Sequence, residues 1–408
     1  MAIRPVPRST RRRRSPVLVS FASLALLASG CGTSDSSSDS GGTGNQISAP
    51  DLPMLDKVGE GEGNLNVLAW PGYAESGQND PSVDWVTPFE QKTGCQVNVK
   101  EFGTSDEAVS LMHSGGYDVV SASGDATLRL ISAGDVEPVN TDLVPNYQDV
   151  SPFLKDRAFN SVGEQMYGIP HGWGANLLMY NTSEVEPAPD SWGVVFDGAD
   201  KYSGEVTAYD SPIYIADAAL YLMKTQPDLG IKDPYALDDD QLQAAVDLLK
   251  EQQQHVGEYW SDYLKEIQAF KNGTSVVGTT WQVIANLAEA DAPVETVFPK
   301  EGATGWSDTW MVGSESENKN CAYMWLDWIV SPQVNAQVAE WFGEAPANVK
   351  ACDFTGKGFC DTYHALDADY AEQIWYWTTP VAECLDGRTD VECTTYQDWT
   401  DAWTEIKG

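Results

Sequence analysis

Between Leu65 and Gly134, short apolar runs alternate with amphipathic stretches that end on glycine, and this rhythm restricts the chain to an α/β fold. Leu65–Ala69, Val97–Phe102 and Asp118–Ser121 read as strands. Val83–Lys92, Asp106–Ser114 and Ala126–Ser132 read as helices, stopped at Gly94, Gly115-Gly116 and Gly134. Strands and helices at this spacing predict a mainly parallel sheet whose ligand chemistry sits at the strand C-termini. Trp70, Tyr73 and the run Ser121–Asp125 lie at two such ends.

The second half repeats the rhythm. Gly204–Tyr209 is a strand ending at Asp210, and Ser275–Thr280 is a strand ending at Trp281. Asp217–Lys224, Asp240–Gln254, Asp262–Asn272, Lys319–Ile329 and Gln333–Trp341 read as helices. Tyr167–Pro170 and Trp173–Asn181 form an apolar passage that suits a crossing between two lobes. Roughly 345 residues follow the N-terminal region, more than one core usually holds.

Phe298–Trp310, reading FPKEGATGWSDTW, follows a short apolar strand and presents Trp306 beside Asp308. An aromatic face takes an organic ammonium by cation–π and apolar contact, and a carboxylate adds a charge-assisted hydrogen bond. The same stretch also suits a glycine-rich surface loop whose tryptophan packs on its own lobe. Trp70, Trp281 and Trp306 are each read as directly following a strand and hence as ligand contacts, whereas Trp85, Trp192, Trp325, Trp328 and Trp341 are read as structural. Trp377 is a further candidate in the tail, and His171 is read as a structural histidine.

The N-terminus is a different kind of sequence. Arg4, Arg8 and Arg11–Arg14 precede the apolar run Val17–Ala28, which is too short to span a bilayer as a finished helix. Leu27-Ala28-Ser29-Gly30-Cys31 resembles the bacterial lipobox, which implies that residues 1–30 are a lipoprotein signal peptide and that Cys31 is the lipidated first residue. The arginine run also permits twin-arginine export. Residues 31–63, rich in Ser, Gly, Asp and Pro, are expected to be a flexible tether. The reading is a protein on the extracytoplasmic face of the membrane, anchored rather than integral.

Removing the leader takes six arginines from 24 basic residues, leaving 18 against 61 acids and a formal charge of −43. Such a charge repels nucleic acid and anionic lipid. Six cysteines besides Cys31 would sit in an oxidising setting. Cys352/Cys360 and Cys384/Cys393 are close in sequence and are expected to be bridged, with Cys95/Cys321 as the remaining pair. No CxxC occurs and the four histidines are scattered, so neither a zinc nor a redox centre is expected; no cofactor and no catalytic residue are assigned. A glycoside hydrolase would also need paired acids and tryptophans, but the chain has no G-x-S-x-G, H-E-x-x-H or Gly-rich phosphate loop.

From Trp70-x-x-Tyr73 onward, a series of landmarks appears in a familiar order. It runs through Phe89–Gly94, Tyr117–Val120, Tyr167–Pro170, Trp173-Gly174, Ser191-Trp192 and Tyr209-Asp210. It continues with Trp281, Phe298–Gly302, Trp306-x-Asp308 and Gly343–Asn348. The folded part thus resembles the spermidine/putrescine-type substrate-binding proteins of ABC importers. The resemblance implies an α/β, two-lobed periplasmic-binding-protein fold of type II with helices on both faces of its sheets and a hinged cleft. It implies lobe I from 64–174 plus 308–345 and lobe II from 175–307 plus 346–408, with crossings near Trp173–Ala175, Trp306–Asp308 and Glu344–Asn348. It also implies that Trp70, Tyr73, Trp281 and Trp306 box an alkyl chain and that Asp210 and Asp308 hold ammonium groups. This chain departs from the family at Ile213, at Gly124-Asp125 and at Glu344. Either Asp125 and Glu344 restore the count of acids, or the ligand carries fewer charges. The function implied is capture of a polyamine by a monomeric, lipid-anchored protein that delivers it to an ABC permease. The same fold with an oligosaccharide or a zwitterionic amino compound is the alternative.

Overall fold

The computed structural model describes residues 47–408; the expected leader, Cys31 and the first part of the tether lie outside the described residues. Two sheets organise the described chain. The larger has eight strands, six of them in the order Ala345–Pro346, Gly168–Ala175, Ala303–Gly313, Val119–Ala122, Asn64–Ala69 and Gln96–Glu101. Its other two, Val136–Glu137 and Ile374–Tyr376, pair with the ends of Ala303–Gly313. The smaller sheet has the order Val256–Trp260, Val206–Tyr209, Val277–Thr280, Leu177–Asn181 and Val294–Val297.

Strand periodicity places helices on both faces of each sheet. Leu65, Val67 and Val119 enter one core with Phe89 and Trp325, while Leu68 and Val120 enter another with Ala108, Met112 and Leu128. Neighbouring residues of a strand point to opposite faces, so each strand serves two cores. In the smaller sheet Leu178 and Val206 join helices Ile215–Thr225 and Asp239–Gln253, and Met179 and Trp260 join Phe270 and Ile284 on the other side.

The helix ends follow local chemistry. Gly94 takes a left-handed φ of 78° to close helix Val86–Thr93, a conformation that an L side chain would strain. Thr104 accepts from the Glu107 amide to start Ser105–Ser114, and Asp238 forms a capping box with Gln241 at the head of Asp239–Gln253.

The sheets are mixed rather than mainly parallel. Asn64–Ala69 pairs parallel to both of its neighbours, but Ala303–Gly313 runs antiparallel to Val119–Ala122 and to Gly168–Ala175. The local strand–helix–strand units dictate parallel pairing; the strands that carry the chain between sheets return in the opposite sense. The change of sheet occurs at Asn176 and again between Val297 and Ala303, so Trp306–Asp308 lies wholly within the larger sheet.

The expected tether is structured over its described part. Leu55 and Val58 pack on the core around Phe89, and Ile47 and Ala49 pack on the core around Leu128. Glu62 accepts from the backbone of Asn320 and Cys321. These few apolar residues find a preformed surface, which composition alone did not reveal. Three disulfides join Cys95 to Cys321, Cys352 to Cys360 and Cys384 to Cys393. Among the described residues, no helix is long and apolar enough to cross a membrane.

Candidate functional site

Where the strand ends of the two sheets meet, a cavity of about 350 Å³ is walled by Trp70, Tyr209, Trp281, Trp306, Phe342 and Trp377, with Asp308 and Ser123 among its polar groups. Each wall has a local cause. Trp70 leaves strand Asn64–Ala69 and donates its backbone N–H to Ser121 Oγ at 3.0 Å, which ties two strand ends together. Trp281 leaves strand Val277–Thr280 as the N-cap of helix Gln282–Ala288. Trp306 and Asp308 are two apart on one strand and so share a face.

The rings form a continuous surface. Tyr209 and Trp377 stack with centroids 5.6 Å apart and planes at 16°. Tyr209 meets Trp281 at 5.6 Å, Trp281 meets Trp306 at 5.9 Å, and Trp306 meets Phe342 at 6.1 Å. Glycines in the crossing strand make room for this arrangement. A Cβ at Gly174 would stand 2.9 Å from the Trp306 ring, and one at Gly172 would stand 2.0 Å from the Glu344 carboxyl carbon.

Asp308 is buried, and its Oδ2 accepts from the Tyr73 hydroxyl at 2.7 Å. Its Oδ1 has no hydrogen-bond partner among the described residues. Burial pushes the carboxyl up to about 6, against the pull of the Ser123 and Tyr73 hydroxyls and His171, while Glu344 adds to the rise. Asp125 is likewise pushed up to about 6 by burial, although the Ser105 hydroxyl donates to it at 2.9 Å and Arg129 lies near. Burial drives the Tyr209 hydroxyl upward, and the charges of Asp125, Asp308 and Asp210 drive it further. Acids therefore surround the aromatic wall.

Glu344 and Tyr73 sit beneath the cavity rather than in its wall. The Tyr73 hydroxyl lies 3.0 Å from Glu344 Oε2 as well as 2.7 Å from Asp308, and Glu344 Oε1 is 3.3 Å from Nδ1 of buried His171. The strand pairing slips between Asp308 and Thr309, opposite His171, which turns this histidine toward the cluster. Asp125 is buried behind the wall and does not line the cavity.

Asp210 corrects the sequence reading: it does not line the cavity. Its Oδ1 is 2.9 Å from Lys407 Nζ and accepts from the Trp403 indole at 3.3 Å, both from the last helix, Tyr396–Lys407. Strand alternation explains the exchange, because the side chain before it, Tyr209, takes the cavity face. Trp341 also departs from its reading as a packed residue and is 40 % exposed.

The bacterial extracellular solute-binding protein family matches residues 84–357, well over half of the chain. The chain belongs to this family. Among relatives of this solute-binding protein, a putrescine-binding periplasmic protein of Escherichia coli is 26% identical over 305 residues, covering 70% of this chain and 78% of its own. A putrescine-binding periplasmic protein of Pseudomonas aeruginosa is 25% identical over 362 residues, covering 84% and 91%. A putative spermidine/putrescine ABC transporter from Listeria monocytogenes shares the fold, with a TM-score of 0.68 at 20% identity over 85% of this chain and 99% of that one.

Sequence reasoning missed several of the solute-binding protein's wall residues. Tyr209 was legible as the partner of Asp210 on an alternating strand. Phe342, at the end of helix Pro332–Phe342, and Ser261–Tyr263, at the start of Tyr263–Lys271, arrive through tertiary packing and carry no local signature.

Proposed function

We propose that this solute-binding protein captures a polyamine of the putrescine or spermidine kind between its two lobes and performs no chemistry on it. Asp308 carries the reading: a buried carboxylate with one oxygen unpartnered among the described residues, in the wall of an aromatic cavity. A buried anion without full pairing is costly, and an ammonium group at Oδ1 would supply both charge and hydrogen bond. Trp70, Trp281 and Trp306, joined by Tyr209, Phe342 and Trp377, would enclose the methylenes. Tyr73, its hydroxyl shared with Glu344, would hold Asp308 from below, Glu344 and Asp125 would add to the negative field, and Asp210 is assigned no ligand contact. Asp262 lines the exposed rim, where its Oδ1 accepts from the Leu264 amide at 3.0 Å, and would supply a second carboxylate for a distal ammonium. Two cavity acids favour an amine over a neutral sugar, for which the rings alone would serve.

In this proposal the signal at residues 1–30 directs export, Cys31 carries the lipid, and the monomer presents its ligand to an ABC permease at the extracytoplasmic face. Permeases of this kind would respond to the closed state that the ligand favours.

The site predicts a specific pH dependence. An alkylammonium stays protonated from pH 5 to 8, so the titrating partners are the carboxyls. The carboxyl of Asp308 is raised to about 6 without ligand, and binding requires it ionised. Amine binding therefore releases a proton below about pH 6 and leaves the proton balance unchanged well above it. Calorimetric titration with putrescine should give a constant affinity above pH 7 and a fall of about tenfold per unit below 6. An affinity that stays flat from pH 5 to 8 would refute the assignment of Asp308.

A further inference from the structure

Asn176 is the single residue between strand Gly168–Ala175 of the larger sheet and strand Leu177–Asn181 of the smaller one. Thr304 is the second residue of Ala303–Gly313, where the chain re-enters the larger sheet. The two are joined by the Asn176 backbone N–H, which donates to the Thr304 carbonyl at 2.8 Å. Both passages between the sheets thus meet at one point.

Their side chains extend this contact into a directed chain. The Trp281 indole N–H donates to Asn176 Oδ1 at 2.9 Å. Asn176 Nδ2 donates to Thr304 Oγ1 at 2.7 Å, and Thr304 Oγ1 donates to Asp217 Oδ1 at 2.9 Å. An indole nitrogen can only donate, so the amide of Asn176 must turn its oxygen to Trp281 and its nitrogen to Thr304. The hydroxyl proton of Thr304 is then left for Oδ1 of the buried Asp217 carboxyl, which burial pushes up to about 7, in the first turn of helix Ile215–Thr225. Of these four residues only Trp281 lines the cavity. Thr304 shares its strand face with Trp306 and Asp308.

We propose that Asn176, Thr304 and Asp217 are positioning residues, a relay across both inter-sheet passages that fixes the indole of Trp281 in the cavity wall. The consequence for affinity rests on the reading of the cavity as an amine site; the consequence for the indole does not. A shift of one sheet against the other must lengthen or break the relay, so the wall is in place only when the passages are correctly set.

Thr304→Val keeps the side chain's shape and removes its hydroxyl, and Thr304→Ser restores the hydroxyl. In the ligand-free full chain, the Trp281 indole N–H resonance, assigned with Trp281→Phe, should move and exchange faster with water in Thr304→Val. It should return to its wild-type position in Thr304→Ser. Asp217→Leu breaks the far end and should move the same resonance, which provides a second route if Thr304→Val folds poorly. Putrescine affinity should fall about five- to tenfold in Thr304→Val and stay within about twofold of wild type in Thr304→Ser, the effect of one buried hydrogen bond. An unchanged resonance and affinity in Thr304→Val would overturn the relay. So would equal losses in the valine and serine variants, which would indicate packing alone. If wild type took no putrescine while the resonance responded as described, the amine reading would fail and the relay would stand.

Discussion

Asp308→Ala is expected to weaken putrescine binding by between about thirtyfold and several thousandfold, the 2–5 kcal/mol lost when one partner of a desolvated charge pair is removed. The size follows from what surrounds the carboxylate. Its Oδ2 is held by Tyr73 at 2.7 Å and its Oδ1 has no hydrogen-bond partner among the described residues, so the ligand meets an oriented anion rather than a mobile one. Without it, an ammonium in the aromatic cavity would have lost its water and gained only the ring faces. The ligand-free protein should not suffer: burial pushes this carboxyl up, which means that the folded state carries it at a cost. Calorimetry and thermal melting of the same variant separate the two effects. Affinity lost with melting temperature kept supports the assignment, and affinity kept refutes it.

Gly124→Ala is the second large effect, and it acts through the tail. A Cβ at Gly124 would fall 1.7 Å from the Trp377 carbonyl oxygen and 2.7 Å from its carbon. The tail cannot easily yield. The Trp377 N–H donates to the Gly305 carbonyl at 2.6 Å, and the Thr379 hydroxyl lies 3.1 and 3.0 Å from the carbonyls of Gly124 and Asp125. One methyl group must therefore displace the segment that brings the Trp377 ring onto Tyr209. The expected cost is about 1–3 kcal/mol of stability, as for an overpacked core. Amine affinity should fall about tenfold as the stacked pair separates, by analogy with the worth of one aromatic contact. Urea unfolding and calorimetry of this variant measure both; a protein indistinguishable from wild type would show that the tail moves freely.

Gly124 also shows what could and could not be read from the chain. As a residue in sequence it was a departure, a missing side chain near the end of a strand. In the fold it is the space into which Trp377 delivers its backbone from more than 250 positions away. Local features were legible because their causes are local: the glycine at 94 that closes a helix, the bounds of helix Lys319–Ile329, and the strands before Trp70 and Trp281. Pairing sense was not, because Ala303–Gly313 takes its direction from partners far away in the chain. Trp70 and Trp281, read from strand ends, stand at such ends and line the cavity; Trp306 lines it from within strand Ala303–Gly313, not from the end of one. Asp210 misled because one step along a strand reverses a side chain, and Lys407 was waiting on the other side.

The most direct test of the account is calorimetric titration of the full chain with putrescine, spermidine and agmatine, set against maltose and 1,4-butanediol. Butanediol has the methylenes of putrescine without its charges, so it separates the rings from the carboxylate. The account predicts micromolar binding of at least one amine and none of either neutral compound. Binding of maltose, or of no amine at all, would contradict it.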